Sequence, residues 1–299
     1  MHVVVAVPID ESLASFIGKK GSENSITFYN RKQGSDVIVA LLPNQEEDRI
    51  YALAESLLIA SRVVLSTANL DRKFGEALVA CSVLGKKVFV TDDNDATALL
   101  KGAGLSGYTL VSKGDMLDKL LDGATDDSEG QVRIDIDKAF PVKGIGTVVL
   151  GIVTRGAVKQ HDKLFHTSGK EALVRSIQSQ DEDITEAGKG TRVGVSLKDI
   201  EEDEIGKGDL LTKQQVPRCS SLVLELRISG AVKEAMAPDA RYGVANGFSY
   251  SECIVRSIEG QKLELELKAP MPAEIGDTVL LMRNSLPRIF ASGKVVGKS

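Results

Sequence analysis

Two kinds of hydrophobic pattern divide this chain. Up to residue 121, short apolar runs at 3–7, 37–42, 63–65, 87–90 and 108–111 read as strands of a buried sheet. Between them lie stretches whose apolar residues recur every three or four positions. Ile50, Leu53, Leu57 and Leu58 mark a helix over 48–60. Further helices are predicted at 11–17, 72–84, 96–101 and 115–121, the first ended by Gly18 and the second by Gly85. The segment 26–29 reads as an edge strand, and 18–21 as a loop. Strands alternating with helices predict a parallel sheet covered on both faces over residues 1–127.

Beyond Leu121 the pattern changes. Residues 122–130 are small, polar and acidic, with no apolar periodicity, and predict a flexible domain boundary. After them apolar and polar residues alternate, at 132–136, 173–179, 253–258 and 263–267. Other strands are predicted at 147–153, 162–165, 191–197, 205–211, 222–228, 278–282 and 287–296, several of them separated by Gly-bearing turns. Many short, evenly spaced strands predict antiparallel barrels, one over 131–213 and one over 214–299.

Length and composition leave this picture intact. The 299 residues suit two or three domains, and 42% hydrophobic with 26% charged is ordinary for a globular chain. No apolar run reaches the ~18 residues of a membrane helix. The start, MHVVVAVPID, lacks a basic segment and meets Asp10 too soon for a signal peptide. Cys81, Cys219 and Cys253 fit neither a disulfide framework nor a metal spacing, which points to a reducing, cytoplasmic setting. The net charge of −5 is uneven: −5 over 1–127, −1 over 131–213 and +2 over 214–299, with Glu129 supplying the remaining −1. Charge alone therefore predicts no nucleic-acid binding.

The densest motif is Phe140 to Gly156, FPVKGIGTVVLGIVTRG. It joins a Gly-x-Gly turn, a β-branched strand and a second Gly turn. Three more blocks follow in order: VRSIQ from Val174, AG…VGVSLKDI from Ala187, and IGKGDLL from Ile205. Together they resemble the second-domain barrel of the translational elongation factors, the family of elongation factor Tu, elongation factor 1-alpha and the selenocysteine-specific factor. The segments 13–21, 25–30 and 75–78 resemble the first domain of the selenocysteine-specific factors, and 214–299 resembles the family's third domain more weakly. Within the family, the chain most resembles a selenocysteine-factor-like group of archaeal methanogens whose nucleotide site has decayed, named for a role with pyrrolysine. The resemblance implies an α/β GTPase-like doubly wound domain followed by two antiparallel β-barrel domains.

Such a GTPase domain needs three devices, and none is present here. The phosphate loop G-x-x-x-x-G-K-[ST] cradles phosphates on backbone N–H groups and neutralises them with Lys. Its position after the first strand reads Val7, Pro8, Ile9, Asp10, Glu11, Ser12, with no Gly, no Lys and two acids. The D-x-x-G position reads Ala40-Leu41-Leu42-Pro43-Asn44, and the base-reading N-K-x-D position reads Thr91-Asp92-Asp93-Asn94-Asp95. The expectation is a chain without GTPase activity, without a cofactor and without a metal site.

In the family the second domain contacts the acceptor end of aminoacyl-tRNA and the ribosomal small subunit. By position Arg175 matches the side chain laid against the terminal adenine, where elongation factor Tu carries Glu, and Arg192 matches a polar position beside the aminoacyl pocket. With Lys143 and Arg155 these are the candidate RNA-binding residues. Asp92–Asp95 reads as a solvated loop rather than a cation site, and Lys19, Lys20, Arg31 and Lys32 as ordinary charged surface rather than an RNA patch. His161 and His166, without Glu or Cys partners at metal spacing, read as surface histidines. The resulting expectation is an elongation-factor-like protein that binds aminoacyl-tRNA or a ribosomal site without GTP hydrolysis. The alternatives are a protein-interaction scaffold and an atypical GTP-binding factor; neither membrane nor DNA is implied as a partner.

Overall fold

The computed structural model describes residues 3–44, 50–68, 70–91, 97–102, 104–105, 107–124, 129–230, 232 and 236–299. The first part of the chain runs β1 (Val3–Pro8), α1 (Glu11–Ile17), β2 (Lys19–Glu23), β3 (Ile26–Gln33), β4 (Asp36–Pro43), α2 (Ile50–Ile59), β5 (Arg62–Ser66), α3 (Arg72–Leu84), β6 (Lys87–Thr91), α4 (Thr97–Gly102), β7 (Tyr108–Leu110) and α5 (Met116–Leu121). These strands form one sheet in the order β2-β3-β4-β1-β5-β6-β7. Pairing is parallel from β4 through β7 and antiparallel across β2, β3 and β4. One face packs on Leu13, Ile17, Met116 and Leu120 of α1 and α5; the other packs on Leu53, Leu57, Phe74 and Leu78 of α2 and α3.

The edge of this sheet corrects the sequence reading. Residues 26–29 open β3, which is an interior strand, and the edge is β2 over residues read as a loop. Every residue of β2 is exposed, so no apolar alternation marks it. It exists because Lys19, Lys20 and Glu23 pair with Asn30, Tyr29 and Thr27.

The second part contains β8 (Arg133–Val142), β9 (Gly146–Arg155), β10 (Ala157–Lys159), β11 (Lys163–His166), β12 (Glu171–Ser179), β13 (Glu182–Ile184), β14 (Glu186–Gly188), β15 (Arg192–Lys198) and β16 (Leu210–Thr212). The order β11-β16-β8-β9-β15-β12 closes on itself through β11–β12 pairing, so a barrel forms around Ile134, Val149, Val174, Val193 and Val195. The third part closes as β17 (Arg218–Ile228), β20 (Lys262–Pro272), β19 (Ser249–Glu259), β18 (Arg241–Asn246), β21 (Thr278–Met282) and β22 (Ile289–Lys298). β18 has no counterpart in the sequence reading. Of the linker, residues 125–128 lie outside the described residues; its start is held where the Asp122 carbonyl accepts from Arg62 Nη2 at 3.1 Å.

The three parts share buried surface. Ile152 of the second barrel and Phe248, Leu280, Met282 and Ile289 of the third belong to the same apolar cluster as α2 and α3. Buried charges then fix the orientation. Glu76, 2% exposed in α3, accepts from the Arg288 N–H at 2.9 Å, the Ile289 N–H at 3.2 Å and Arg288 Nε at 3.0 Å. Ser292 Oγ donates to the Val83 carbonyl at 2.8 Å. Between the barrels, Arg133 bonds Asp135 at 3.0 Å, Asp277 at 2.8 Å and Glu274 at 3.1 Å. Burial alone would lower the pKa of Arg133, but Asp135 and Asp277 raise it above its ordinary value. Gly247 sits against this network with φ +57°, and a Cβ there would stand 2.1 Å from Asp135 Oδ1, so both conformation and space require Gly.

The first domain meets the second barrel at Glu55, which pairs with Lys207 Nζ at 2.5 Å; Lys207 also donates to Ser25 Oγ at 2.9 Å. Burial pushes the Glu55 carboxyl up to about 7, against the pull of Lys207.

Two outcomes are expected. Removing Glu76 leaves Arg288 and two N–H groups buried without their acceptor, so Glu76→Ala lowers the unfolding free energy by about 3–5 kcal/mol in urea titrations. Glu55 holds a proton in the folded chain where the unfolded chain has released it. Its contribution is fully present below the ordinary 4.5 and is lost as pH rises through about 7. Glu55→Gln should flatten that part of a stability-against-pH curve.

Candidate functional site

Only Ile9 and Asp10 connect β1 to α1. Asp10 is the N-cap, in extended backbone, and its Oδ1 accepts from Ser12 N–H at 2.8 Å, Leu13 N–H at 3.1 Å and Ser12 Oγ at 2.5 Å. A helix start offers such N–H groups to an anion. Here the chain supplies the anion itself. Burial pushes the Asp10 carboxyl up, but the Ser12 hydroxyl, the Leu13 and Ser12 N–H groups and Lys113 together hold it below its ordinary value. Val7 and Pro8 are buried in the strand. The residues at the D-x-x-G position end β4, where Asn44 Oδ1 accepts from Thr27 Oγ1 at 2.8 Å. Asp92–Asp95 lies outside the described residues.

The second barrel presents a different feature. Along β15 the inward positions Val193, Val195 and Leu197 fill the core, so Arg192, Gly194 and Ser196 face outward. Their neighbours on β9 are Ile152, Leu150 and Val148. A Cβ at Gly194 would lie 3.4 Å from Leu150 Cδ2, so the side chain of Leu150 covers the space beside this glycine. Arg175 on β12 donates from Nη1 to the Ile145 carbonyl at 3.2 Å, in the turn that carries exposed Lys143. To reach it the guanidinium crosses β15, which lies between β12 and β9. Below it the Ser196 hydroxyl is buried without a hydrogen-bond partner. The result is a half-buried apolar strip along β9 and β15, with Arg175 and the turn that carries Lys143 at one end.

The other end is closed. The Arg192 guanidinium stacks on Phe28 of the first domain, 3.3 Å from the ring centroid. Its Nη2 donates to Ser22 Oγ at 2.6 Å and to Asp137 Oδ2 at 3.4 Å. Burial pushes the Arg192 guanidinium down and the Asp137 carboxyl up, each partly offset by the other.

The four predicted RNA residues therefore separate. Arg175 reaches the turn that carries exposed Lys143, through the Ile145 carbonyl. Arg192, expected to be available beside an aminoacyl pocket, has a side chain only 12% exposed and is committed to Phe28, Ser22 and Asp137. Arg155 bonds Glu274 at 2.9 Å and the Gln131 carbonyl at 2.9 Å, so it ties the two barrels together. In this structure both make contacts across domains, Arg192 with Phe28 and Ser22 of the first and Arg155 with Glu274 of the third. The basic patch is likewise spent. Arg31 donates to the Ile17 and Phe16 carbonyls, Lys20 pairs with Glu23 at 2.8 Å, and Lys32 lies 3.8 Å from Glu182. His166 is not on the surface: it is fully buried, with Nε2 3.1 Å from Asp209 and Nδ1 2.9 Å from Ser168 Oγ. Gly194 and Ser196 escaped the sequence reading. The signal available was their alternation with Val193, Val195 and Leu197.

Residues 146–212 match the family model of elongation factor Tu domain 2. An uncharacterised protein of Methanocaldococcus jannaschii is 28% identical over 296 residues, covering 95% of this chain and 96% of its own length. The selenocysteine-specific elongation factor of the same organism is 25% identical over 197 residues, covering 57% of this chain but 42% of the factor. That of Escherichia coli is 27% identical over 172 residues, 56% of this chain and 27% of the factor. The chain thus spans less than half the length of these two factors. In fold it is similar to translation elongation factor SelB from Methanococcus maripaludis bound to the GTP analogue GppNHp, with a TM-score of 0.81 at 20% identity over 100% of this chain and 79% of that one. A bacterial selenocysteine-specific elongation factor EF-Sec gives 0.82 at 17% identity, over 98% of this chain and 58% of that one.

Asp10→Ala should cost about 1 kcal/mol of stability, the usual worth of an N-cap. Equilibrium dialysis with labelled GTP and magnesium should show no gain in binding, since removing the resident carboxylate adds neither lysine nor glycine to the loop.

Proposed function

We propose that this chain, an elongation-factor-like protein, binds the acceptor end of a tRNA on the outer face of its second barrel, and does so without GTP hydrolysis. The observation that carries the reading is the outward strip of β9 and β15 beside Arg175. Arg175 and the exposed Lys143, at one end of it, would meet a backbone phosphate. Leu150, lying over Gly194, and Val148 give an apolar surface that would suit the face of an unstacked base. The Arg175 guanidinium is planar and can lie on such a base once it leaves the Ile145 carbonyl. The Ser196 hydroxyl, buried without a partner, would gain one from the same ligand.

Nucleotide independence is supported from the first domain. The β1–α1 connection lacks the glycines and lysine of a phosphate loop, and Asp10 already accepts from the N–H groups that would face a phosphate. In this reading the first domain positions the barrels rather than timing them.

A gel-shift titration with tRNA at near-physiological salt tests the proposal. Binding that is insensitive to added GTP, and weakened about tenfold by Arg175→Ala, is the expected result; a tenfold loss corresponds to about 1.4 kcal/mol. Absence of binding, or equal binding of any RNA duplex, would overturn it. GTP-dependent binding would favour a nucleotide-gated factor instead.

A further inference from the structure

We propose that the seam between α2 and the outer face of the third barrel binds a small planar aromatic anion, held by Tyr51, Tyr250 and Arg241. A cleft of about 760 Å³ opens there, between Ile50 and Tyr51 at the start of α2 and the strands β18, β19 and β20. Small-molecule sites measure roughly 300–1,000 Å³ and favour such seams between domains. The cleft lies on a different barrel from the strip beside Arg175.

Alternation along the strands places its parts. On β19 Cys253 and Val255 fill the barrel core, so Tyr250, Glu252 and Ile254 face outward. On β18 Val244 fills the core, so Gly243 and Arg241 face outward, about 7 Å apart along the strand. Gly243 lies opposite Glu252, and Arg241 opposite Ile254. A Cβ at Gly243 would stand 2.8 Å from Tyr250 Cε2 and 2.9 Å from its hydroxyl oxygen, so the ring rests directly on the glycine backbone. Tyr51 meets that ring from the first domain, with centroids 5.6 Å apart and planes tilted by 37°. Tyr250 is still 42% exposed, and neither tyrosine hydroxyl forms a hydrogen bond among the described residues. Burial and the Glu252 carboxylate push the Tyr250 phenol up, so it keeps a proton to donate.

The charges select the ligand. Both carboxylates of the cleft already have cations: Glu252 pairs with Lys268 at 2.8 Å, and Glu266 pairs with Arg256. Arg241 is exposed, and its guanidinium forms no hydrogen bond or ion pair among the described residues. It is a surplus cation one pleat from a fixed aromatic step, and its planar fork suits a carboxylate, sulfonate or phosphate. An aromatic ring bearing one such group meets Tyr51 and Tyr250 with its flat part and Arg241 with its charge. Glu252 and Glu266 repel a run of phosphates, so the arrangement fits a single anion rather than a nucleic-acid backbone. One tyrosine comes from each domain, so the bound ligand also clamps the first domain to the third barrel.

Two fluorescent dyes test this: 8-anilinonaphthalene-1-sulfonate, and N-phenyl-1-naphthylamine, which has the same rings without the sulfonate. Titration of the full chain should saturate at one anionic dye per chain, with a Kd at least about tenfold below that of the neutral dye. Arg241→Ala should remove that difference. Tyr51→Ala and Tyr250→Ala, each checked for folding by its melting curve, should weaken the anionic dye about tenfold. Arg241→Glu alters only an exposed position, so the test stands even where a tyrosine variant fails to fold; it should weaken the anionic dye and spare the neutral one. Absence of a saturable site, equal Kd values for the two dyes, or an affinity that Arg241→Glu leaves unchanged would overturn the proposal. Loss of binding with Tyr250→Ala but not with Tyr51→Ala would overturn the clamp and confine the ligand to the third barrel.

Discussion

The Glu76 carboxylate lies 2% exposed beneath the last strand of the third barrel, and the placement of the first domain depends on it. A carboxylate taken out of water costs several kcal/mol unless charge and hydrogen bonds replace the lost hydration. Arg288 supplies the charge, and the N–H groups of Arg288 and Ile289 supply the bonds. These bonds tie α3 to the start of β22. In the same placement α2 lies at the seam where Glu55 meets Lys207, and the β2–β3 hairpin lies on the second barrel at Arg192. The contacts at Glu76, Glu55 and Arg192 thus all hold the first domain in the same placement on the two barrels.

Asp10 plays a related part at the other side of the first domain. Its carboxylate is held a few covalent bonds from the N–H groups it accepts from. A free anion would have to displace a partner that never leaves the vicinity, and a tethered group competes as if it were present at millimolar or higher concentration. The loop is thus occupied, as well as lacking the residues of a phosphate site.

Much of the architecture was legible because its signals are local. The helix over 72–84 was bounded by Gly85 in left-handed backbone, and the parallel strands stood out as unbroken apolar runs. The barrels were legible from alternation. What was not legible depends on partners far away in sequence. β2 is fully exposed and exists only through β3, and β18, Arg241–Asn246, has too few apolar residues to alternate. His166 is buried because Asp209, just ahead of β16, forms a hydrogen bond with its Nε2. Arg175 and Arg192 both lie on barrel strands and read alike. Phe28, more than a hundred residues earlier, makes one a domain contact and leaves the other at the surface.

The apolar cluster that runs from α2 and α3 into Phe248, Met282 and Ile289 has a bearing on how the molecule comes apart. A domain with its own closed core can melt while its neighbours persist. Here one face of the first domain has no core except the one it shares, so opening that seam uncovers Leu280 and Ile289 as well as Leu53 and Leu57. Independent melting of the first domain is thereby made costly.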